Sequence, residues 1–176
     1  MPSGKTHDAI TILLAPIVLG LSYAATHSGP FTLTAATAFL FGGFMFGPDL
    51  DTVSSQYSRW SIFRFIWFPY RMVFKHRSRW SHGLIFGTFI RVVYFMGVIT
   101  LTAMLGAFLI GTVSAGFEGS LQIMRIWRDV RIFLTANAGE NFALAAFIGM
   151  WLGAASHTLM DVAITYIKTG RVPDFL

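Results

Sequence analysis

Apolar residues fall into four long runs, at about 9–25, 31–47, 83–110 and 142–160, and charge collects between them. Crossing the hydrocarbon core of a bilayer takes about 20 apolar residues, with about 17–25 tolerated. The first, second and fourth runs fall near that range. The third is longer and carries Arg91, so it is expected to tilt or to begin outside the core. Residues 56–80 alternate aromatics with bases (Trp60, Phe63, Arg64, Phe65, Trp67, Tyr70, Arg71, Phe74, Lys75), as expected of a belt at headgroup depth, with a helix break at Pro69. Residues 121–134 carry a helical period. Ile123, Ile126, Trp127, Val130 and Leu134 share one side, with Arg125, Arg128 and Asp129 opposite. That pattern predicts a second interfacial helix, anchored at the membrane surface.

The expected fold is therefore all-α: an integral membrane bundle of about four transmembrane helices with one or two interfacial amphipathic helices, forming one domain over residues 1–176. Composition supports this. Hydrophobic residues make up 55% of the chain and charged residues 12%, against about a quarter charged in soluble domains. A signal peptide is disfavoured for the first run because His7 and Asp8 abut its apolar core. Lys5, Arg59, Arg64, Arg71, Lys75, Arg77, Arg79, Lys168 and Arg171 lie at ends facing one side, against Arg125, Arg128 and Arg131 on the other. The positive-inside rule then places both termini and the 48–82 segment on the cytoplasmic side of the membrane. The net charge of +5 points to anionic lipid headgroups as partners, and no nucleic acid is expected. There is no cysteine, which excludes disulfides, thiolate metal sites and cysteine nucleophiles.

An up-down-up-down bundle brings four places to one face: His7 before the first run, Asp49 and Asp51 after the second, His76 and His82 before the third, and His157 with Asp161 late in the fourth. Only His27 lies at the other end. An aspartate at the centre of a membrane helix costs about 2.5–3.5 kcal/mol, less near the interface. A bound cation would remove that cost, and His157 and Asp161, four residues apart on a helix, face one ion. The expected ligands are His7, Asp49, Asp51, His82, His157 and Asp161. His76 stands equally as a ligand, a catalytic base or a group supporting a ligand. Nitrogen and oxygen donors without sulfur suit zinc, with manganese or ferrous iron as further choices, and one or two ions are compatible with the donor count. The pairs Gly43/Gly47, Gly83/Gly87 and Gly149/Gly153 predict close helix approach beside these polar groups.

Thr6-His7, Pro48-Asp49-Leu50-Asp51, His76-Arg77 followed by Ser81-His82, and Ser156-His157 followed by Asp161 together resemble a bacterial family of small uncharacterised metal-binding membrane proteins. That family is similar to the LexA-regulated, membrane-bound metal-dependent hydrolases, although the run from His76 to His82 is one residue longer than is usual there. A looser likeness, in ligand types alone, is to helical zinc phosphodiesterases of the phospholipase C kind. The resemblance implies a divalent-metal-dependent hydrolase acting on a phosphoester, such as a lipid headgroup, at the cytoplasmic membrane surface. The metal would supply a nucleophile from water, a spare Asp or His76 would take its proton, and Arg77 and Arg79 would hold phosphate. For both arginines plain binding to anionic lipid is the alternative, and for Arg79 it is the preferred one. The rival reading is a non-catalytic membrane protein that uses the ion for structure, sensing or transport; a metal-free surface anchor is a third. Arg91, nine residues past His82, is expected on the opposite helical face from the site, snorkelling to the interface or contacting another helix.

Overall fold

The computed structural model describes residues 3–76, 78–113 and 119–172. Among these every regular element is a helix: α1 Gly4–Thr26, α2 Gly29–Phe44, a 3₁₀ turn Pro48–Asp51, α3 Ser55–Arg59, a 3₁₀ segment Ser61–Trp67, α4 Phe68–Val73, α5 Arg79–His82, α6 Phe86–Val113, α7 Gly119–Ala138 and α8 Phe142–Thr169. Three helices are long and apolar enough to cross a membrane: α1, α6 over Phe86–Gly106, and α8. The second apolar run, 31–47, gives a shorter helix than its hydropathy suggests. Of residues 31–47 only those up to Phe44 continue α2, a 16-residue helix.

Side chains from α3 show why α2 stops there. The last carbonyls of a helix have no partner within it. Here Gln56 Nε2 donates to Gly43 O at 2.8 Å, Arg59 Nη1 to Phe44 O at 2.8 Å and Trp60 Nε1 to Met45 O at 2.9 Å. Spaced three and four residues apart, these donors lie along one face of α3 and its end, and they cap three successive carbonyls. Arg59 also binds Asp8 through both nitrogens, at 3.0 and 2.5 Å, tying α1 to the same corner. The chain then turns through Pro48–Asp51, with Ser54 Oγ donating to Asp49 O at 2.8 Å.

The core of the bundle is α8 packed along α2, with α1 against both and more extensively against α2. Small residues make this possible. A Cβ on Gly149 or Gly153 would collide with the carbonyl oxygens of Ala35 and Phe39, and one on Gly42 would meet Met150 O at 2.5 Å. Gly43 instead faces Thr11 of α1. The pairing expected between helices thus holds at Gly149/Gly153. Gly47 faces the Gln56 side chain, and Gly83 and Gly87 meet backbone of α5 rather than another long helix.

The belt expected over 56–80 divides in two. Pro69 sits at the start of α4, consistent with the expected break. Trp67 and Tyr70 turn inward, with Trp60 and Phe74 against them, and join Phe46, Leu50 and Tyr57 in an aromatic core under the Asp49–Asp51 turn. Trp67 stacks on Phe95 with ring centroids 5.8 Å apart, anchoring α6. Ile62, Phe63, Phe65, Phe68, Met72 and Val73 remain exposed. Trp67, Tyr70 and Phe74, three and four residues apart at the start and end of α4, share one side of it, while Trp60 precedes the left-handed Ser61 and the 3₁₀ segment. In α7 the charged Arg128 and Asp129 are exposed, while Ile126, Trp127, Val130 and Leu134 line an apolar groove with α6 and α8.

Backbone contact at Gly153 makes a direct prediction. Gly153→Ala lowers unfolding stability by about 1–3 kcal/mol through overpacking, whereas Gly97→Ala, with open space around it, changes it by under about 1 kcal/mol in the stabilising direction. Denaturant unfolding of both variants in detergent measures the contrast.

Candidate metal centre

Each site residue comes from a different part of this frame. His7 lies in the second turn of α1, begun by the Ser3 cap. Asp49 and Asp51 sit on the 3₁₀ turn after α2, His76 on the connection after α4, and His82 at the end of α5, whose N-cap Ser78 accepts from Ser81 N. His157 and Asp161 lie one turn apart on the inner face of α8, which continues to Thr169 before Gly170 caps it in the left-handed conformation. His7, Asp51, His82, His157 and Asp161 are all buried; Asp49 and His76 reach the surface, with side-chain exposures of 22% and 36%. The six expected ligands and His76 therefore meet at one end of the bundle, and His27 caps α1 at the other end.

The donors form two groups of ion-holding size: His7, His157 and Asp161, all buried, and Asp49, Asp51, His76 and His82. In the first, His7 Nε2 stands 3.4 Å from Asp161 Oδ1, and His157 Nε2 stands 3.6 Å from Asp161 Oδ2. The His7 and His157 rings stack with centroids 3.6 Å apart. Asp49 joins the groups: Oδ2 lies 3.3 Å from His157 Nε2 and Oδ1 lies 3.5 Å from His82 Nε2. In the second, His82 turns Nδ1 towards Asp51 Oδ2 at 3.5 Å, and His76 Nδ1 bonds Asp51 Oδ1 at 2.9 Å.

Except for His76–Asp51, these separations exceed the 2.7–3.2 Å typical of a good hydrogen bond. They match the edges of a tetrahedron of nitrogen and oxygen atoms about 2.0–2.2 Å from a shared cation, which come to roughly 3.3–3.6 Å. Unsatisfied atoms agree. His7 Nδ1, Asp49 Oδ1, Asp51 Oδ2, His157 Nε2 and Asp161 Oδ2 are buried and lack hydrogen-bond partners among the described residues. Leaving that many polar atoms unmatched costs more than an ordinary site tolerates. The donor set fits divalent cations bound through nitrogen and oxygen.

Without a metal, charge is balanced by protons. Burial alone would raise Asp49 and Asp51, but the facing imidazoles of His157 and His82 for Asp49, and chiefly that of His82 for Asp51, hold both below the ordinary carboxylate range. Burial alone would lower His82, and the two aspartates outweigh it and raise the imidazole above its ordinary value.

Several residues that matter here were not legible as site residues. Gln56, buried by its cap on Gly43, places Nε2 3.3 Å from His157 Nδ1 and so supports that ring. Ser81 Oγ lies 3.1 Å from His82 Nδ1. Arg91 is the clear correction: it is 1% exposed and turns toward the site, donating to Ser81 O at 2.6 Å. The expected opposite face assumed one continuous helix from His82. The helix breaks over 83–85 and restarts at Phe86, so that count does not carry across. Counted from Phe86, Gly87, Thr88 and Arg91 share a face, a small and polar stripe that was the available signal. Arg79 is exposed on α5, and Arg77 lies outside the described residues.

These shifts set a pH dependence. The raised His82 stabilises the metal-free fold fully below its unfolded value of about 6.5, and that contribution is lost as pH rises through the higher folded value. The lowered aspartates contribute above about 3.9, and their contribution is lost as pH falls through their depressed values. Chelator-treated protein therefore loses melting temperature as pH rises above about 6.5, whereas zinc-loaded protein, with a cation in place of the proton, does not. Thermal unfolding in detergent across that range checks both curves.

A family profile described as uncharacterized metal-binding protein (DUF2227) matches residues 2–171. A protein of Aquifex aeolicus (strain VF5), described as uncharacterized, is 37% identical over 57 residues, or 32% of this chain; the chain thus covers only 40% of that relative's length. No solved structure matches the chain. With donors gathered as the geometry describes and the profile extending over nearly all of the sequence, the chain belongs to this family of metal-binding proteins.

Proposed function

We propose that the protein is a membrane-embedded hydrolase that uses two divalent ions, most suitably zinc, to cleave phosphoesters at the membrane surface. The observation that carries this reading is Asp49. Its two carboxylate oxygens face different histidines in two neighbouring donor groups, the arrangement of a carboxylate shared by two cations. Paired cations recur in phosphoester hydrolysis, where they stabilise attacking and leaving oxygens together and supply a nucleophile from water near neutral pH.

The two halves suit different tasks. His7, His157 and Asp161 are closed off from solvent, which fits an ion that holds α1 and α8 together. Asp49 and His76 open to the surface, so the outer half is where a substrate can enter. His76, with Nδ1 held by Asp51 at 2.9 Å, keeps Nε2 for taking the proton of the attacking water, and Asp51 orients it. Arg79, exposed on α5 beside His82, is placed to bind phosphate, either of a substrate or of the membrane. The membrane setting rests on α1, α6 and α8, whose apolar length suffices to span. Side chains such as Leu13, Leu21, Phe89 and Leu101 are more than half exposed, which suits a lipid surround. In this reading both termini and the centre face the cytoplasm, and headgroup phosphoesters are the nearest substrates.

A second reading draws on the same closed inner half: the ions fix the bundle and no turnover occurs. Elemental analysis together with assays on a panel of phosphoesters and phospholipids separates the two. The hydrolase reading predicts two ions per chain and turnover that falls about 10²–10⁴-fold in His76→Gln with both ions retained. Asp51→Asn loses turnover as well. Two bound ions without turnover on any member of the panel favours the structural reading, and one ion or none contradicts the shared carboxylate.

A further inference from the structure

Arg91 is buried in α6, yet among the described residues no carboxylate lies within ion-pair distance of it. Its guanidinium is used as a fork. Nη1 donates to Ser81 O at 2.6 Å and Nη2 to Thr88 Oγ1 at 3.0 Å, while the buried Tyr70 hydroxyl neighbours it. Ser81 is a hub. Its Oγ reaches Lys75 O at 3.1 Å, Ser78 Oγ at 3.1 Å and His82 Nδ1 at 3.1 Å. Gly87 makes room for the arrangement, because a Cβ there would come within 2.6 Å of Ser81 O. The described residues so gathered, 75, 76 and 78–82, include His76 and His82 and no donor of the inner group.

We infer that Arg91 is a positioning residue that clamps this segment onto α6 and thereby sets the affinity of the outer ion alone. Only a planar fork reaches Ser81 O and Thr88 Oγ1 together, so lysine replaces at most one of the two bonds. The charge suits the place as well, since Asp51 and Asp49 lie close enough to stabilise a cation without pairing with it. His7, His157 and Asp161 stand on α1 and α8, to which the Arg91 bonds do not run; α8 meets the joint beyond the segment, where Trp151 Nε1 donates to Leu84 O at 2.6 Å. The effect on the outer ion rests on the two-ion reading above; the clamp itself does not.

The test uses full-length protein in detergent, titrated with zinc by calorimetry and with cobalt by its visible spectrum. Alongside, hydrogen exchange is measured on metal-free protein. The variants are Arg91→Met, Arg91→Lys and, in case Arg91→Met does not fold, Gly87→Ala, which pushes on the same carbonyl. Arg91→Met is expected to bind the first ion as wild type does and the second about 10–100-fold more weakly. Arg91→Lys is expected to recover part of the loss, and exchange is expected to quicken over 75–83 but not over 153–161. Unchanged affinity for both ions in Arg91→Met and Gly87→Ala overturns the inference. So does equal weakening of both ions in a folded variant, which marks general destabilisation. A single ion in wild type overturns the two-ion reading instead, and the exchange data then decide the clamp: faster exchange confined to 75–83 upholds it, and an unchanged pattern removes it.

Discussion

Buried negative charge is the constraint on which the rest of this structure depends. Asp51 and Asp161 are nearly fully buried, and Asp49 is only partly open to solvent. A carboxylate out of water is costly unless a cation or donors surround it. Histidines supply those partners from α1, α5 and α8 at separations too long for good hydrogen bonds and suitable for shared coordination. The helices that carry the donors are otherwise ordinary apolar helices, and what selects this arrangement over another bundle is the need to bring imidazoles to the aspartates.

Packing then serves the charge. Gly149 and Gly153 let α8 approach the backbone of α2 closely, which brings His157 beside Asp49 at the end of α2. The three side-chain caps from Gln56, Arg59 and Trp60 end α2 where the Pro48–Asp51 turn must begin. The aromatic cluster around Trp67 and Tyr70 fills the space beneath that turn. On the opposite side Arg91 and Ser81 hold the segment bearing His76 and His82. A change at any of these supports acts on the centre without touching a ligand, as is common for residues around metal sites.

Much of this was readable from the residues alone. The apolar runs located the long helices because their length is set by the solvent they face, and the termini of those runs located His7, Asp49, His82 and His157. Partition of the donors into two groups was not readable, since it depends on the orientation of one carboxylate, and side-chain torsion leaves no trace in spacing. Gln56 escaped notice, and Ser81 was read only as a neighbour of His82 in its motif, because a lone polar residue in a short helix has many uses. Arg91 was misplaced because a helical count was carried across the break at 83–85, and the inward half of the 56–80 belt was misjudged because aromatics between bases suit either an interface or a core. Pro69 and the Gly149/Gly153 pair were read correctly, each through a steric rule that holds whatever surrounds it.

The central claim is that cations sit between these aspartates and histidines, with Asp49 shared. Anomalous scattering recorded at the metal edge from crystals of the zinc-loaded protein tests it most directly. The account predicts two peaks on either side of the Asp49 carboxylate, one among His7, His157 and Asp161 and one beside His82. A single peak remote from Asp49, or none with the imidazoles closing directly onto the carboxylates, would contradict it.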